Sequence, residues 1–436
     1  MKEPFILGGG LAGLSACYNS NGTIFEKKSR VGGHAKSHKI DGYIFDEGIH
    51  VLHTSNKYVL NLMDEIDAKM QVRDRDAWIF SHGSMTRYPF QANTYGLPTN
   101  IIKDCLLGFI QNTFTDQNKI KNYRDWIYFM FGEGIANHFM IPYSKKFWGV
   151  RPEDLTTDWV NVRHPKPTLD EVITGAITDQ KKGFGINSSY RYPKIRGFAN
   201  IAYSLAKKCN DRIRCNMAVT GIDTNNKIVE FNGNQKINYA NKLISTIPLP
   251  DLLKLIKDCP KNLIEESKKL RTNSIFVVNL GVNKPNISEK NWIYYLEKEY
   301  SFFRISFPHN QSDTVTPKNK SSISAEISYG NSNKLPVSRE KLVERVIDDL
   351  IKVNVLSDND KIDVINTFDI KNAYVIFDRN RKPAVEKIHN YLNSVDIIPC
   401  GRYGDWAYHW SDEAILSGKK AVKKYNKQIK GNISKD

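Results

Sequence analysis

A chain of 436 residues exceeds what a single hydrophobic core normally supports, so two or three domains are expected. Its 40% hydrophobic and 25% charged composition is that of an ordinary globular protein, and no apolar run is long enough to span a bilayer. The net charge of +16 is dispersed rather than gathered into a stripe: the densest groupings are Lys27-Lys28, Lys145-Lys146 and the tail from Lys419 to Lys435. That pattern argues against a nucleic-acid-binding surface and for anionic small ligands or simple solubility.

Pro4-Phe5-Ile6-Leu7 reads as a strand rather than a secretory leader. The six cysteines show no metal-type CxxC spacing, so no metal site is expected. They are read as reduced thiols, with the cytoplasm as the expected location. After the first strand comes Gly8-Gly9-Gly10-Leu11-Ala12-Gly13, then a short helix from about Leu11, then the strand Thr23-Ile24-Phe25 ending at Glu26. In this βαβ order Gly8 permits the tight turn, Gly10 lets the backbone approach a pyrophosphate, and Gly13 lets helix and strand pack closely. The helix N-terminus offers amides to the phosphates, and Glu26 is placed to accept from an adenosine ribose.

Helical periodicity runs from about 97 to 148, with the apolar stretch Trp126–Phe131. Short β runs occupy 217–247, helical spacing returns at 249–269, and 274–330 is β-rich. A helix is expected near 338–354, a strand from Ile397 into Gly401, and a final helix from Ser411-Asp412. There is no internal repeat.

Arg30-Val31-Gly32-Gly33-His34 and Gly401-Arg402-Tyr403-Gly404-Asp405 resemble the two segments that complete the FAD site in the glutathione-reductase-like superfamily. Within it, the chain resembles the UDP-galactopyranose mutase family. The likeness is carried by Phe45–Asn56, Tyr88–Asn93, Tyr143–Gly149, Trp159–Arg163, Gly185–Pro193, Trp292–Tyr294, Phe302–Arg304 and Arg402–Asp412. It implies an α/β fold: a discontinuous Rossmann-type FAD domain (1–80, 193–275 and 385–436), an inserted helical domain (81–192) and an antiparallel-sheet domain (276–384).

Residue by residue, the resemblance puts Gly8, Gly10, Leu11, Ala12, Gly13, Glu26, Lys27, Arg30, Gly33, His34, Gly48, Gly401, Arg402, Tyr408 and Asp412 around FAD. Tyr88, Phe90, Gln91 and Asn187 would hold uridine, with Tyr294, Arg304, Tyr374 and Tyr408 around the diphosphate and sugar. His50, Arg163, Arg304 and Arg402 would be the catalytic set. The reaction implied is pyranose–furanose interconversion of UDP-galactose or a related nucleotide sugar, through attack of reduced-flavin N5 on the anomeric carbon. NAD(P)H is a candidate external reductant, and the oligomeric state is open. The alternative is an FAD oxidoreductase of the amine-oxidase or protoporphyrinogen-oxidase type, whose relatives share segments such as Ala373–Asp378. Two positions depart from the mutase pattern: Ile49 replaces a glycine of the flavin loop, and Asp412 stands where the eukaryotic-type enzymes carry an asparagine that helps bind the diphosphate, so a charged carboxylate there would repel phosphate oxygens. Among the remaining residues, Phe147, Trp148 and His53 are expected to be structural and Asp412 a helix cap. Arg304, set among aromatics in a strand, requires a partner or a ligand, and the ligand is the favoured reading.

Overall fold

The computed structural model describes residues 3–112, 114–160, 166–180, 188–330 and 334–433. Phe5–Leu7 is followed through the glycine turn by the helix Leu11–Tyr18 and the parallel strand Thr23–Phe25. The helix has 8 residues. Asn19 ends it by returning its side-chain amide to Ser15 O. Every residue from Leu11 to Cys17 is buried, because the helix is enclosed by Ser411–Ile433 and Ala199–Cys209.

Five strands from separated parts of the chain make an all-parallel sheet. Their order is Ile397–Pro399, Leu243–Ser245, Phe5–Leu7, Thr23–Phe25 and Ile213–Arg214. Its strands read as short continuous apolar runs, as strands covered on both faces do.

A seven-stranded sheet lies across from it, in the order Ile362–Ile370, Ser274–Val282, Ser321–Tyr329, Arg304–Ser306, Trp292–Tyr295, Ala77–Ser81 and Ser84–Arg87. Side chains alternate between its faces. Phe276, Val278, Leu280, Ile293, Ile305 and Ala325 pack against Leu342, Val346 and Leu350 of the helix Arg339–Lys352. The opposite face carries Trp292, Tyr294, Arg304 and Glu326.

Two features differ from the sequence reading. The hairpin 77–87 belongs to this sheet and crosses the expected boundary at 80/81. The sheet also contains one parallel pair, Trp292–Tyr295 against Ala77–Ser81. Asn291 sets that pairing: its amide donates to Asp76 O and its side-chain oxygen accepts from Asp76 N. Such long-range pairing leaves no local trace in the sequence.

The helices Thr99–Ile110, Tyr123–Ile135, Ile141–Trp148 and Leu169–Ile177 pack largely on one another, and Ile141–Trp148 also meets the strand Ser321–Tyr329. A π-helical turn at Ala136–Met140 joins the second to the third, which Gly149 ends in the left-handed conformation (φ 68). That stop places Phe147 and Trp148 at the junction of the layers. No described helix is long and apolar enough to cross a membrane, and no metal-holding cluster occurs among the described residues.

Candidate active site

The glycine turn has two kinds of glycine. Gly8 sits at φ +100, and a Cβ on Gly13 would lie 2.0 Å from Gly8 O, so turn geometry and helix–strand contact exclude side chains at both. Gly10 is different. Its φ of −75 is open to any residue, and a Cβ there would meet only Gly33 Cα at 3.8 Å. Neither conformation nor protein packing demands glycine at this position. The space before it suits a group brought up to the backbone. The first bond within the helix is Leu14 N to Gly10 O, so the preceding amides face outwards at the positive end of the helix dipole. These residues fit a dinucleotide pyrophosphate. Lys27 and Arg30 are exposed beside the turn. The Glu26 carboxylate is held by two amides, accepting from Gly9 N (2.7 Å) and Lys28 N (2.9 Å). It therefore braces the turn itself, a role the ribose-acceptor expectation did not include.

A cavity of about 230 Å³ opens where the flavin loop, the seven-stranded sheet and the helices meet. His34, Gly48, His50 and Arg402 form one side. Arg402 donates to His409 O from Nε and Nη2 and to Ala373 O from Nη1, so backbone carbonyls fix its orientation. His50 Nδ1 donates to Gly48 O, leaving Nε2 as an acceptor. Burial, reinforced by the charges of Arg402 and His34, pushes the His50 imidazole down to about 4 against the opposing Gly48 bond; it is neutral at pH 7. Burial acts oppositely on Glu47, but hydrogen bonds from His34 and His38 prevail and hold its carboxyl at about 2.

Arg304 also lines the cavity, and its partner is a carboxylate. Its Nη2 lies 2.5 Å and its Nε 2.6 Å from Glu326 Oε2, with the Glu326 side chain 2% exposed. Of the two expectations for Arg304, a partner or a ligand, the structure supplies the partner rather than the favoured ligand. The two residues are cross-strand neighbours in register, a pairing visible only once 304 and 326 are aligned. Glu326 Oε1 accepts from Ile49 N at 2.9 Å. One carboxylate thus links the arginine to the flavin-side loop at the position where Ile49 replaces glycine.

Phenols surround these cations. Tyr88 and Tyr294 lie 5.5 Å apart between ring centroids, and Tyr143 meets Tyr294 edge-on at 5.4 Å. Tyr374 packs on Phe147 at 4.7 Å and on Tyr408 at 5.7 Å. Burial raises the Tyr88, Tyr143 and Tyr374 hydroxyls above their ordinary range, so all three remain protonated donors.

Several lining residues escaped the sequence reading. The guanidinium of Arg75 stacks over Tyr88 at 3.9 Å and beside Trp292 at 5.3 Å. The buried Trp292 Nε1 has no hydrogen-bond partner among the described residues. No motif flags Arg75; only the fold of the strand pair 70–74 and 189–193 brings it to the cavity. Phe147, Trp148 and His53 are both buried or half-buried and lining, so a structural and a site role coincide.

A second cavity of about 800 Å³ shares His53, Trp159, Tyr408 and Trp410 with the first. Asp412 lines it. It is the second residue of the C-terminal helix Ser411–Ile433 and accepts from Glu413 N at 2.8 Å, so it lies within the first turn rather than capping it as expected. Burial raises its carboxyl despite hydrogen bonds from Thr54 and the Glu413 amide. Gly401 donates to Ser417 Oγ and lies against Ala12, tying this end of the chain to the glycine turn.

The structure thus brings together His34, Gly48, His50, Tyr88, Tyr294, Arg304, Tyr374, Arg402 and Tyr408 around one cavity. Gly8, Gly10, Leu11, Ala12, Gly13, Glu26 and Gly33 cluster at the turn. Phe90 and Gln91 are buried behind Tyr88, with Phe90 stacked on Phe139 at 4.7 Å, and neither lines these two cavities. Arg163 and Asn187 lie outside the described residues.

A family model described as flavin containing amine oxidoreductase matches residues 19–371. The chain belongs to this family. It is a flavin enzyme by that membership, in accord with the open cradle before Gly10. Among solved structures, a reduced UDP-galactopyranose mutase superposes with a TM-score of 0.91 at 26% identity, covering 97% of this chain and 95% of that one. A protein of Exiguobacterium sp. 255-15 described as a protoporphyrinogen oxidase gives 0.75 at 15% identity, over 97% and 98%. A putrescine oxidase bound to putrescine gives 0.68 at 15%, over 97% and 98%. The last two show the shared fold alone.

Proposed function

We propose that the protein is a flavin-dependent sugar-nucleotide mutase that interconverts the pyranose and furanose forms of UDP-galactose or a related nucleotide sugar. The observation that carries this reading is the convergence of Arg75, Arg304 and Arg402 with the phenols of Tyr88, Tyr143, Tyr374 and Tyr408 on one cavity. Guanidiniums and neutral hydroxyls are donors suited to a diphosphate. A protonated amine would instead meet the guanidiniums of Arg75 and Arg402, while Arg304 is already paired with Glu326. The mutase superposition supports the same choice.

In this reading Arg304, held in orientation by Glu326, clamps the diphosphate, and Tyr374 and Tyr408 donate to its remaining oxygens. Arg163 and Asn187 are proposed to complete the substrate contacts. His50 offers an uncharged acceptor beside the sugar, and Arg402 favours negative charge on the cofactor side. The amides at Gly10 to Gly13 hold the FAD pyrophosphate. When bound and reduced, the flavin supplies an electron-rich nitrogen able to attack carbon. The net reaction is an isomerisation, so electrons are not consumed, and NAD(P)H would serve only to prime the cofactor.

The test is anaerobic. The flavin is reduced with dithionite, UDP-galactofuranose is added, and ring form is followed by chromatography beside flavin absorbance. Many turnovers with the flavin still reduced are expected. Stoichiometric electron transfer with a carbonyl or imine product would replace the mutase by the oxidoreductase.

A further inference from the structure

Asn273 stands outside every motif, immediately before the strand Ser274–Val282, and is 3% exposed. A buried primary amide has two donors and an acceptor to satisfy, and here all are used across three separate segments. Its Oδ1 accepts from Tyr374 N at 2.9 Å. Its Nδ2 donates to Phe147 O at 3.0 Å and to Ser328 Oγ at 3.1 Å. The main chain adds two bonds: Asn273 N to Tyr374 O, and Ala373 N to Asn273 O, each 2.9 Å.

The partners are the backbones of cavity-lining residues. Phe147 O belongs to the last turn of a helix, where carbonyls lack an intrahelical donor. Asn273 supplies that donor. It thereby ties the helix end to the segment carrying Ala373 and Tyr374, and the rings of Phe147 and Tyr374 pack with tilted planes at 4.7 Å between centroids. Tyr374 in turn lines the cavity beside Arg304, whose charge acts on its hydroxyl, and its ring centroid lies 5.6 Å from the Arg402 guanidinium. Ala373 O, one residue away, accepts from Arg402 Nη1 at 3.0 Å.

We infer that Asn273 is a positioning residue for the site: it sets Tyr374 against Arg304 and, through Ala373, Arg402 against the flavin. The consequence for substrate rests on the mutase reading above, whereas the consequence for Arg402 requires only a bound flavin.

The experiment uses full-length holoenzyme carrying Asn273→Asp, Asn273→Ala or the control Ser328→Ala. Asn273→Asp is nearly isosteric and keeps the acceptor for Tyr374 N while losing both donors. Three quantities are measured: thermal midpoint, ligand-free flavin absorbance and reduction potential, and UDP affinity by flavin difference spectra. Loss of a buried multi-bonded amide should weaken UDP binding roughly tenfold or more in both Asn273 variants and shift the ligand-free flavin band. Ser328→Ala should leave the band in place. Combining Asn273→Asp with Tyr374→Phe should cost less than the two losses summed, because both act on one contact. A lowered thermal midpoint with parental flavin band and UDP affinity would make Asn273 merely structural and overturn the inference. If the parent itself ignores UDP, the mutase reading fails, and the ligand-free flavin band and potential then decide the inference alone. Should Asn273→Ala not fold, Asn273→Asp carries the same comparison.

Discussion

In the proposed site the glycine turn and the arginines of the cavity wall would act by opposite means. At the turn, the functional groups are main-chain amides, and the side chains matter by their absence. Residues 8–13 therefore contain the whole device, apart from the brace of Glu26. The wall is made of side chains from distant strands. Arg304 is oriented by Glu326, which also holds Ile49, and Tyr374 is anchored by Asn273. A device built from local backbone tolerates no change of residue type at a few positions. A device built from tertiary partners depends on residues that carry no motif.

That contrast can be broken first at the glycines. Gly13→Val should fail to fold as a stable protein, since its Cβ would sit 2.0 Å from Gly8 O. Gly10→Val should fold, because its backbone and protein surroundings accept a side chain, yet retain almost no flavin. Circular dichroism and the flavin absorbance of purified protein separate the two. A yellow, fully loaded Gly10→Val protein would remove the pyrophosphate cradle from the account.

At the wall, Arg304→Ala leaves the Glu326 charge buried without its partner, a loss on the order of 3–5 kcal/mol of stability in chemical denaturation. UDP affinity should fall by roughly 2–3 kcal/mol, the scale of a charged hydrogen-bonded pair. Adding Glu326→Gln to Arg304→Ala should restore much of the stability and none of the affinity. Recovery of UDP binding in that double variant would locate the diphosphate elsewhere.

A smaller effect is expected at Asp412. Burial raises its carboxyl, so on lowering the pH it becomes neutral earlier than an exposed aspartate, and its repulsion of phosphate is then relieved. UDP affinity should rise as the pH falls through this transition. Asp412→Asn should bind more tightly at pH 7 and lose that dependence, as isothermal titration across pH would record.

The least effect concerns His50. Its folded value near 4 lies below the ordinary 6.5, so the fold binds fewer protons than the unfolded chain between them. The His50 contribution to stability is complete above about 6.5 and is lost as pH falls towards 4. Denaturation of His50→Gln should show a flatter profile in that window than the parent.

The sequence by itself determined the first βαβ unit, the short helix implied by the gap from Gly13 to Glu26, and the family. The first two rest on residues close together in the chain, where spacing translates directly into geometry, and the family on a series of short segments in the right order. Much of the cavity's residue list was also legible, but only through resemblance. The hairpin 77–87 joining the large sheet, the parallel pair at Trp292–Tyr295, and the arrival of Arg75 beside Tyr88 were not. Nor was the partner of Arg304: a strand with a charge among aromatics states that a counter-group is needed, while the register that supplies Glu326 is set 22 residues later. Resemblance alone places Phe90 and Gln91 at the uridine; both are buried and line neither of the two cavities. Tertiary structure decided these cases because strand pairing and burial depend on which surfaces meet, and that is a property of the whole chain rather than of any window within it.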